Sequence, residues 1–290
     1  MKKIGDSELI INPDGSIYHI MLKPEHLADT VIVVGDQHRV KDISKYFDKI
    51  EYEIQHREFV THTGYYNKKR ITVLSTGIGT DNIDIVLNEL DAVVNIDLET
   101  RMVKPELKSL DIIRLGTSGA LQADIPVDSF VVSSHGLGLD GLLNFYNPRK
   151  PIFDNELTEE FIKQTSWGAD LQKPYIVKGS DKLMAKLGEG LIKGITATAS
   201  GFYGPQGRVL RIDLAYPQLN EKIESFKYKD YRITNFEMET SALYGLGATL
   251  GHNTLTICDI IANRLSKQYS KDYKSSVEKL IQLVLERLTK

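Results

Sequence analysis

The stretch TVIVVGD (30–36) constrains the fold more than any other segment of the chain. Its β-branched run shows no polar alternation, which suits a strand covered on both faces rather than one with a wet side. The run stops at Gly-Asp, so the strand delivers a loop at its C-terminal end. DIIRLGTSGA (111–120), DSFVVSSHG (128–136), GLIKGITATASGFYG (190–204) and NTLTICDIIANR (253–264) read as further strands of this kind. HREFVTHTGYYNKKRITVLSTGIG (56–79) reads as a hairpin turning at Gly64 and Asn67, its second strand ending in a glycine-rich bend. Helical stripes fall between them. Ile83, Val86, Leu87, Leu90 and Val94 form one, with Asp81 near its start, and Val277, Leu280, Ile281, Val284 and Leu288 form another. ELTEEFIKQT (156–165) and YPQLNEKIESFKY (216–228) also read as helical, and YRITNFEMETSALYGLGATLG (231–251) reads as a strand followed by a small-residue helix. Strands buried on both faces need helices on both sides. The prediction is a single three-layer α/β/α domain over residues 1–290 with a central mixed β-sheet, and residues 1–17 as an N-terminal extension.

Composition narrows the function classes. With 36 basic and 39 acidic residues the net charge is −3, so no global field favours nucleic acid or an anionic membrane. Any anion must be held by local groups, which points to a small-molecule partner. Cys258 is the only cysteine, which excludes an intrachain disulfide and a cysteine-based zinc cluster and suits a reducing compartment. The opening MKKIGDSELIINPDG has no apolar run behind its lysines, and no stretch approaches the ~18 apolar residues of a membrane span. The expectation is a cytoplasmic protein.

Polar residues gather where the strands end. Arg39, Arg57 and Arg114 stand near GDQHR, STGIG and RLGTSG. A lone arginine after a strand is usually solvated or ion-paired. Three beside glycine-rich or hydroxyl-bearing loops suit phosphate oxygens, with Thr117 and free amides completing the shell. There is no GxxxxGK[ST], and no GxGxxG follows the first strand, so the expected anion is inorganic phosphate or a simple phosphate group. Glu237-Met238-Glu239 precedes a helix too poor in charge to be exposed. Helix-start acids are commonly caps, but buried carboxylates need partners, and a sugar diol against a methionine is one. GFYGPQGR (201–208) reads alone as a polar surface turn. Its second reading is chemical: Gln206 offers donor and acceptor, Arg208 a planar fork, together suited to the edge of a flat heterocycle.

The segments GDQHR, HREF, STGIG, RLGTSGA, FYGPQGR, NFEMET and ANRL, in this order from about Tyr18 to Arg264, resemble the uridine phosphorylases within the nucleoside phosphorylase family. The most specific part is FYxxQGR, which in that family separates pyrimidine enzymes from purine ones. The resemblance implies phosphorolysis of uridine to uracil and ribose 1-phosphate, with inorganic phosphate as co-substrate and no organic cofactor. It implies that Gly35, Arg39, Arg114 and Thr117 bind phosphate, joined by Arg57 from a neighbouring subunit. Phe202, Gln206 and Arg208 would meet the base, Arg264 would support its far end, and Met238 and Glu239, with Glu237 beside them, would meet the ribose. Tyr18-His19 would reach the partner's ribose 5′-hydroxyl. Glu58 and Ser75 fall where some bacterial members hold potassium across the dimer interface. A homodimer with shared sites follows, extended in some members to a hexamer built as a trimer of dimers.

Departures from the family pattern leave alternatives open. The first loop reads Val34-Gly35-Asp36-Gln37 where the family has Pro-Gly-Asp-Pro, and residues 96–111 look like a surface insertion. Asp259 stands near the position of a general acid in purine enzymes. Its plainer reading is a strand-end residue that pairs with Arg264 or caps a loop. A purine nucleoside phosphorylase using Asp259, a hydrolase of the same fold, and a non-catalytic nucleoside-binding protein are the rival readings. Three retained arginines oppose the last two.

Overall fold

The computed structural model describes residues 3–290. In chain order the elements are β1 (Thr30–Val34), α1 (His38–Ser44), β2 (Lys49–His56), β3 (Phe59–Tyr66), β4 (Lys69–Ser75), α2 (Thr80–Asn95), β5 (Ile96–Asp97), β6 (Met102–Val103), β7 (Asp111–Ala120), β8 (Phe130–Gly138), α3 (Asn155–Thr165), β9 (Tyr175–Lys178), α4 (Asp181–Leu187), β10 (Ile192–Thr198), α5 (Leu219–Ser225), β11 (Lys227–Tyr228), β12 (Tyr231–Glu237), α6 (Thr240–Leu250), β13 (Asn253–Asn263), β14 (Gln268–Tyr269) and α7 (Tyr273–Thr289). All residues of β1 are buried, as its unbroken apolar run requires, and it pairs in parallel with β4 on one side and β7 on the other.

The central sheet is mixed, in the order β2-β3-β4-β1-β7-β13-β8-β10-β12-β11. One feature was not legible from the strand pattern. β12 turns back to pair antiparallel with β7, Asn235 opposite Ala120 and Phe236 opposite Gly119, so β7, β13, β8, β10 and β12 close into a ring. β2 was also hidden in the sequence, because KIEYEIQH is a half-exposed outer strand rich in charge.

Helices cover both sides. α2 and α6 pack Ile83, Val86, Leu87, Leu90, Leu243 and Leu246 on one face, and α1, α4 and α7 bring Val40, Ile43, Leu183, Val277 and Leu280 to the other. A third cluster, with Phe161 of α3, Ile223 of α5 and Phe236 of β12, closes the end beside the ring. Buried helix α6 carries no charged side chain. A Cβ on its Gly245 would stand 2.7 Å from Leu143, and one on Gly247 2.3 Å from Thr254, so glycine permits both close approaches. Within residues 3–17, Leu9 and Ile17 join the α2-side core. In 96–111, β5 and β6 pair only with each other and residues 105–109 are exposed.

Candidate active site

Three groups of side chains are built at the strand ends. The first centres on Arg114 of β7, only 5% exposed. Its guanidinium lies between two carboxylates, with Nη1 3.2 Å from Glu237 Oε2 and Nη2 against Glu239 Oε2. Nη1 also donates to Cys258 Sγ at 3.5 Å, while the buried Nε has no partner. The carboxylates are fixed by the start of α6. Glu237 accepts from the amides of Glu239 (3.1 Å) and Thr240 (2.9 Å), and from Thr198 Oγ1 at the end of β10 (2.7 Å). Glu239 Oε1 accepts from the amide of Gly79, in the glycine bend before α2, at 2.8 Å.

Electrostatics follow from this packing. Burial pushes the Glu237 carboxyl up to about 7 against the pull of Arg114. Burial also works against the charged form of Arg114, but Glu239 and Glu237 outweigh it and raise its pKa. Arg39, in the first turn of α1, donates to the Leu115 carbonyl of β7 at 3.3 Å. Its pKa is lowered by burial and then by the like charge of Arg114. Two guanidiniums that repel each other in a partly desolvated place are relieved by an anion. Gly35 lies in the same loop, where Asp36 Oδ1 accepts from the His38 amide at 2.9 Å and so orders the turn without the family's prolines.

The second group is GFYGPQGR. Residues Gly204–Gln206 form a 3-10 turn, closed by Gly207 at φ 69°. The surface-turn reading fails for Gln206, which is 3% exposed. Its backbone carbonyl accepts from Asn220 Nδ2 of α5 at 2.8 Å and from Arg264 Nη1. Arg208 Nη1 donates to Gln206 Oε1 at 2.7 Å and to the Phe202 carbonyl at 2.5 Å, and its Cζ stands 3.7 Å from the Phe202 ring centre. Burial, then the charge of Arg264, lowers the pKa of Arg208. Neither Gln206 Nε2 nor the rest of the Arg208 fork enters these contacts. Donors therefore predominate on the free edge, beside a half-exposed aromatic face.

Both groups are connected to the strand return that closes the ring. Phe236, just before Glu237, pairs with Gly119, and the Arg264 amide donates to the next carbonyl, that of Ala120, at 3.3 Å.

The third group gathers around the turn between β2 and β3. His19 Nδ1 is 2.6 Å from Glu89 of α2, whose carboxylate also accepts the His19 and Ile20 amides. His56 Nδ1 donates to the His19 carbonyl at 2.9 Å. Arg57 is exposed at φ 54°, its Cζ 5.9 Å from the Tyr18 ring centre. Glu58 is exposed beside it. Fully buried Ser75 ties this turn down: its Oγ donates to the Glu58 carbonyl at 2.6 Å and accepts from the Val60 amide at 2.7 Å.

Asp259 departs from its plainer reading. It pairs with neither Arg264 nor a loop; its Oδ1 accepts from Ser276 Oγ of α7 at 2.8 Å. Arg264 instead serves the Gln206 carbonyl. Thr117, half-buried, lies opposite Asp259 across the β7–β13 pair. Met238 is half-buried between the two carboxylates of the first group.

Sequence reasoning did not single out Thr198, Asn220, Gly79 or Glu89. Thr198 ends a strand and Gly79 ends a glycine bend, which are weak signals; Asn220 and Glu89 sit within helices and give none. Two surface clefts, about 260 Å³ between the N-terminal segment and α2 and about 200 Å³ beside Tyr216 and Lys222, contain neither Arg114 nor Gln206.

An α/β protein that carries a buried arginine–carboxylate centre and a base-sized donor edge has the makings of an enzyme for small, flat, anion-requiring substrates. The chain belongs to the phosphorylase superfamily, whose sequence pattern matches residues 29–290. A uridine phosphorylase of Thermococcus kodakarensis is 30% identical over 279 residues, covering 93% of this chain and 86% of that protein. A DeoD-type purine nucleoside phosphorylase of Buchnera aphidicola is 28% identical over 92% of this chain and 97% of its own length. Among solved structures, a Trypanosoma brucei nucleoside phosphorylase with uridine phosphorylase activity superposes with a TM-score of 0.86 at 31% identity, covering 97% of this chain and 99% of its own.

Proposed function

We propose that the protein is a uridine phosphorylase, a pentosyltransferase that converts uridine and phosphate to uracil and ribose 1-phosphate. The observation that carries this reading is the Gln206–Arg208–Arg264 cluster, connected through the β12–β7 return to the strand that carries Arg114. Cleavage of an N-glycosidic bond places positive charge on the ribose and negative charge on the departing base. Gly35, Arg39, Arg114 and Thr117 hold phosphate beneath the anomeric carbon. Gln206 and Arg208 donate to the uracil oxygens as they gain electron density, Phe202 covers the base, and Arg264 fixes the Gln206 backbone. Met238 and Glu239 take the ribose, while Glu237, surrounded by protein donors, anchors α6. Phosphate attacks directly, so no protein nucleophile is required.

The same reading covers assembly. Arg57 is exposed and makes no hydrogen bond or ion pair to the Arg114 centre of its own chain, which supports a homodimer that completes each site from its partner, or a hexamer of such dimers. Potassium across the dimer interface remains part of the proposal: Glu58 is exposed, and Ser75, buried beneath it, donates to the Glu58 carbonyl and accepts from the Val60 amide. An ion there would need donors from a second copy. One domain spanning the chain, with 1–17 as an extension and 96–111 as an insertion, is supported by the continuous sheet and by the isolation of β5 and β6. No helix among the described residues is long and apolar enough to cross a membrane. A cytoplasmic location rests on the single cysteine.

The test is release of base from uridine, thymidine, inosine and adenosine, each with and without phosphate. Phosphate-dependent release of uracil, with inosine much slower, is expected. Equal turnover without phosphate would mean a hydrolase, and faster turnover of inosine would mean a purine enzyme.

A further inference from the structure

Asp259 is an ionisable group that the proposed reaction does not use. It is fully buried on β13, opposite Thr117 of β7 and Phe130 of β8. The pair just before it on the same face, Leu115 and Ile257, belongs to the core beneath α7, so Thr117 and Asp259 share the side that α1 and α7 cover. Oδ1 is satisfied by Ser276, whereas Oδ2 has no hydrogen-bond partner at all. A buried carboxyl with an orphaned oxygen is stabilised either by a proton or by a nearby cation. The charged groups that act on it are Arg39 of α1 and Asp128 of the β7–β8 loop, while Ser276 of α7 donates to it and Thr117 of β7 is its strand-pair neighbour. Arg39 is itself tied to the Leu115 carbonyl, two residues before Thr117.

We propose that Asp259 is a positioning residue that makes phosphate affinity proton-dependent: as the neutral acid it leaves Arg39 and Thr117 to phosphate, and as the carboxylate it competes for them and repels the anion. The inference rests on the phosphorolysis reading, which makes Arg39 and Thr117 phosphate ligands. Burial raises its carboxyl to about 6; Ser276 opposes this, Asp128 adds to it, and Arg39 opposes it. The exchange therefore falls where both forms are populated. By reciprocity, phosphate binding near that pH draws a proton onto the protein. A unit charge across a few ångströms of partly shielded protein changes the affinity of an anion by roughly tenfold.

The experiment is titration calorimetry of the full chain with inorganic phosphate from pH 5 to 8, in buffers of different ionisation enthalpy, together with KM for phosphate and for uridine. After correction for phosphate's own ionisation, the wild type should lose about tenfold in phosphate affinity as pH rises through about 6. Proton uptake should accompany binding, and KM for uridine should stay level. Asp259→Asn should abolish both the step and the uptake. Ser276→Ala, which removes the donor to Oδ1, should move the step to higher pH; a purely structural role would leave its midpoint in place. Phosphate-dependent uridine cleavage with identical pH profiles in wild type and Asp259→Asn overturns this proposal alone. A wild type that binds no phosphate overturns it together with the phosphorolysis reading.

Discussion

On the proposed assignment, replacing Arg208 should separate base recognition from phosphate binding. Its guanidinium reaches three things at once: Gln206 Oε1 at 2.7 Å, the Phe202 carbonyl at 2.5 Å, and the Phe202 ring centre at 3.7 Å from Cζ. None of these touches Arg39 or Arg114. With Arg208 donating to the uracil oxygens as proposed, Arg208→Ala removes one transition-state donor, worth about 3 kcal/mol or two to three decades in rate. The cation–π contact adds roughly 0.5–1 kcal/mol, because the Phe202 ring is half exposed and water weakens it. The expected fall in kcat/KM for uridine is therefore between about 10² and 10³·⁵. Arg208 is itself only half-buried, so the thermal midpoint should move by no more than ~2–3 °C. Arg208→Lys restores charge without the planar fork and should recover less than a tenth of the wild-type kcat/KM. The assay follows uracil release by absorbance over a matrix of uridine and phosphate concentrations, with phosphate affinity measured separately. A kcat/KM within threefold of wild type, in a variant that melts normally, would refute the base-reading role and return this turn to scaffold.

Two further perturbations probe other parts of the molecule. His135 of β8 is buried against Tyr231, and burial pushes its pKa down to about 4. Its folded value lies below the ordinary ~6.5, so its neutral form is fully accommodated above that pH and stability is lost as pH falls from ~6.5 towards 4, by about 3 kcal/mol. Urea melts at pH 7.5 and 5 should show a smaller acid loss in His135→Gln than in wild type; equal losses would contradict the assignment. For the shared site, mixing inactive Arg57→Ala and Arg208→Ala chains should restore activity, because a mixed dimer places both defects in one site and neither in the other. Mixed dimers that stay inactive although both variants fold would place Arg57 in its own subunit's site.

The parts of the site that could be read in the sequence are those carried by local pattern. TVIVVGD announced a two-sided strand because burial on both faces forbids polar alternation, and β1 is buried throughout. The charge-free helix after Glu239 announced its own burial, since a buried helix tolerates no unpaired charge. What could not be read depends on contacts between distant segments. Asn220 gives no local sign that it will hold the Gln206 carbonyl, and Asp259 resembles any strand-end acid until α7 brings Ser276 over it. The two carboxylates were legible as needing partners, but that Arg114 would stand between them required knowing that β12 folds back on β7. β2 was missed because an outer strand is free to be as polar as a loop.

The return of β12 to β7 also sets the order in which competence is acquired during folding. Arg114 belongs to a strand formed from residues 111–120, but its carboxylate neighbours and the Arg264 that steadies Gln206 come from residues 237–264. Pairings this remote in sequence are slow, since the intervening chain must close before any contact compensates its lost entropy. Chains truncated before β13 would carry the first arginines with no ring to hold them, and refolding followed by activity should lag refolding followed by α2-type helical signal. Until that ring closes, Arg114 and its neighbours are separate charges on an unfinished sheet, and catalysis is among the last properties the molecule gains.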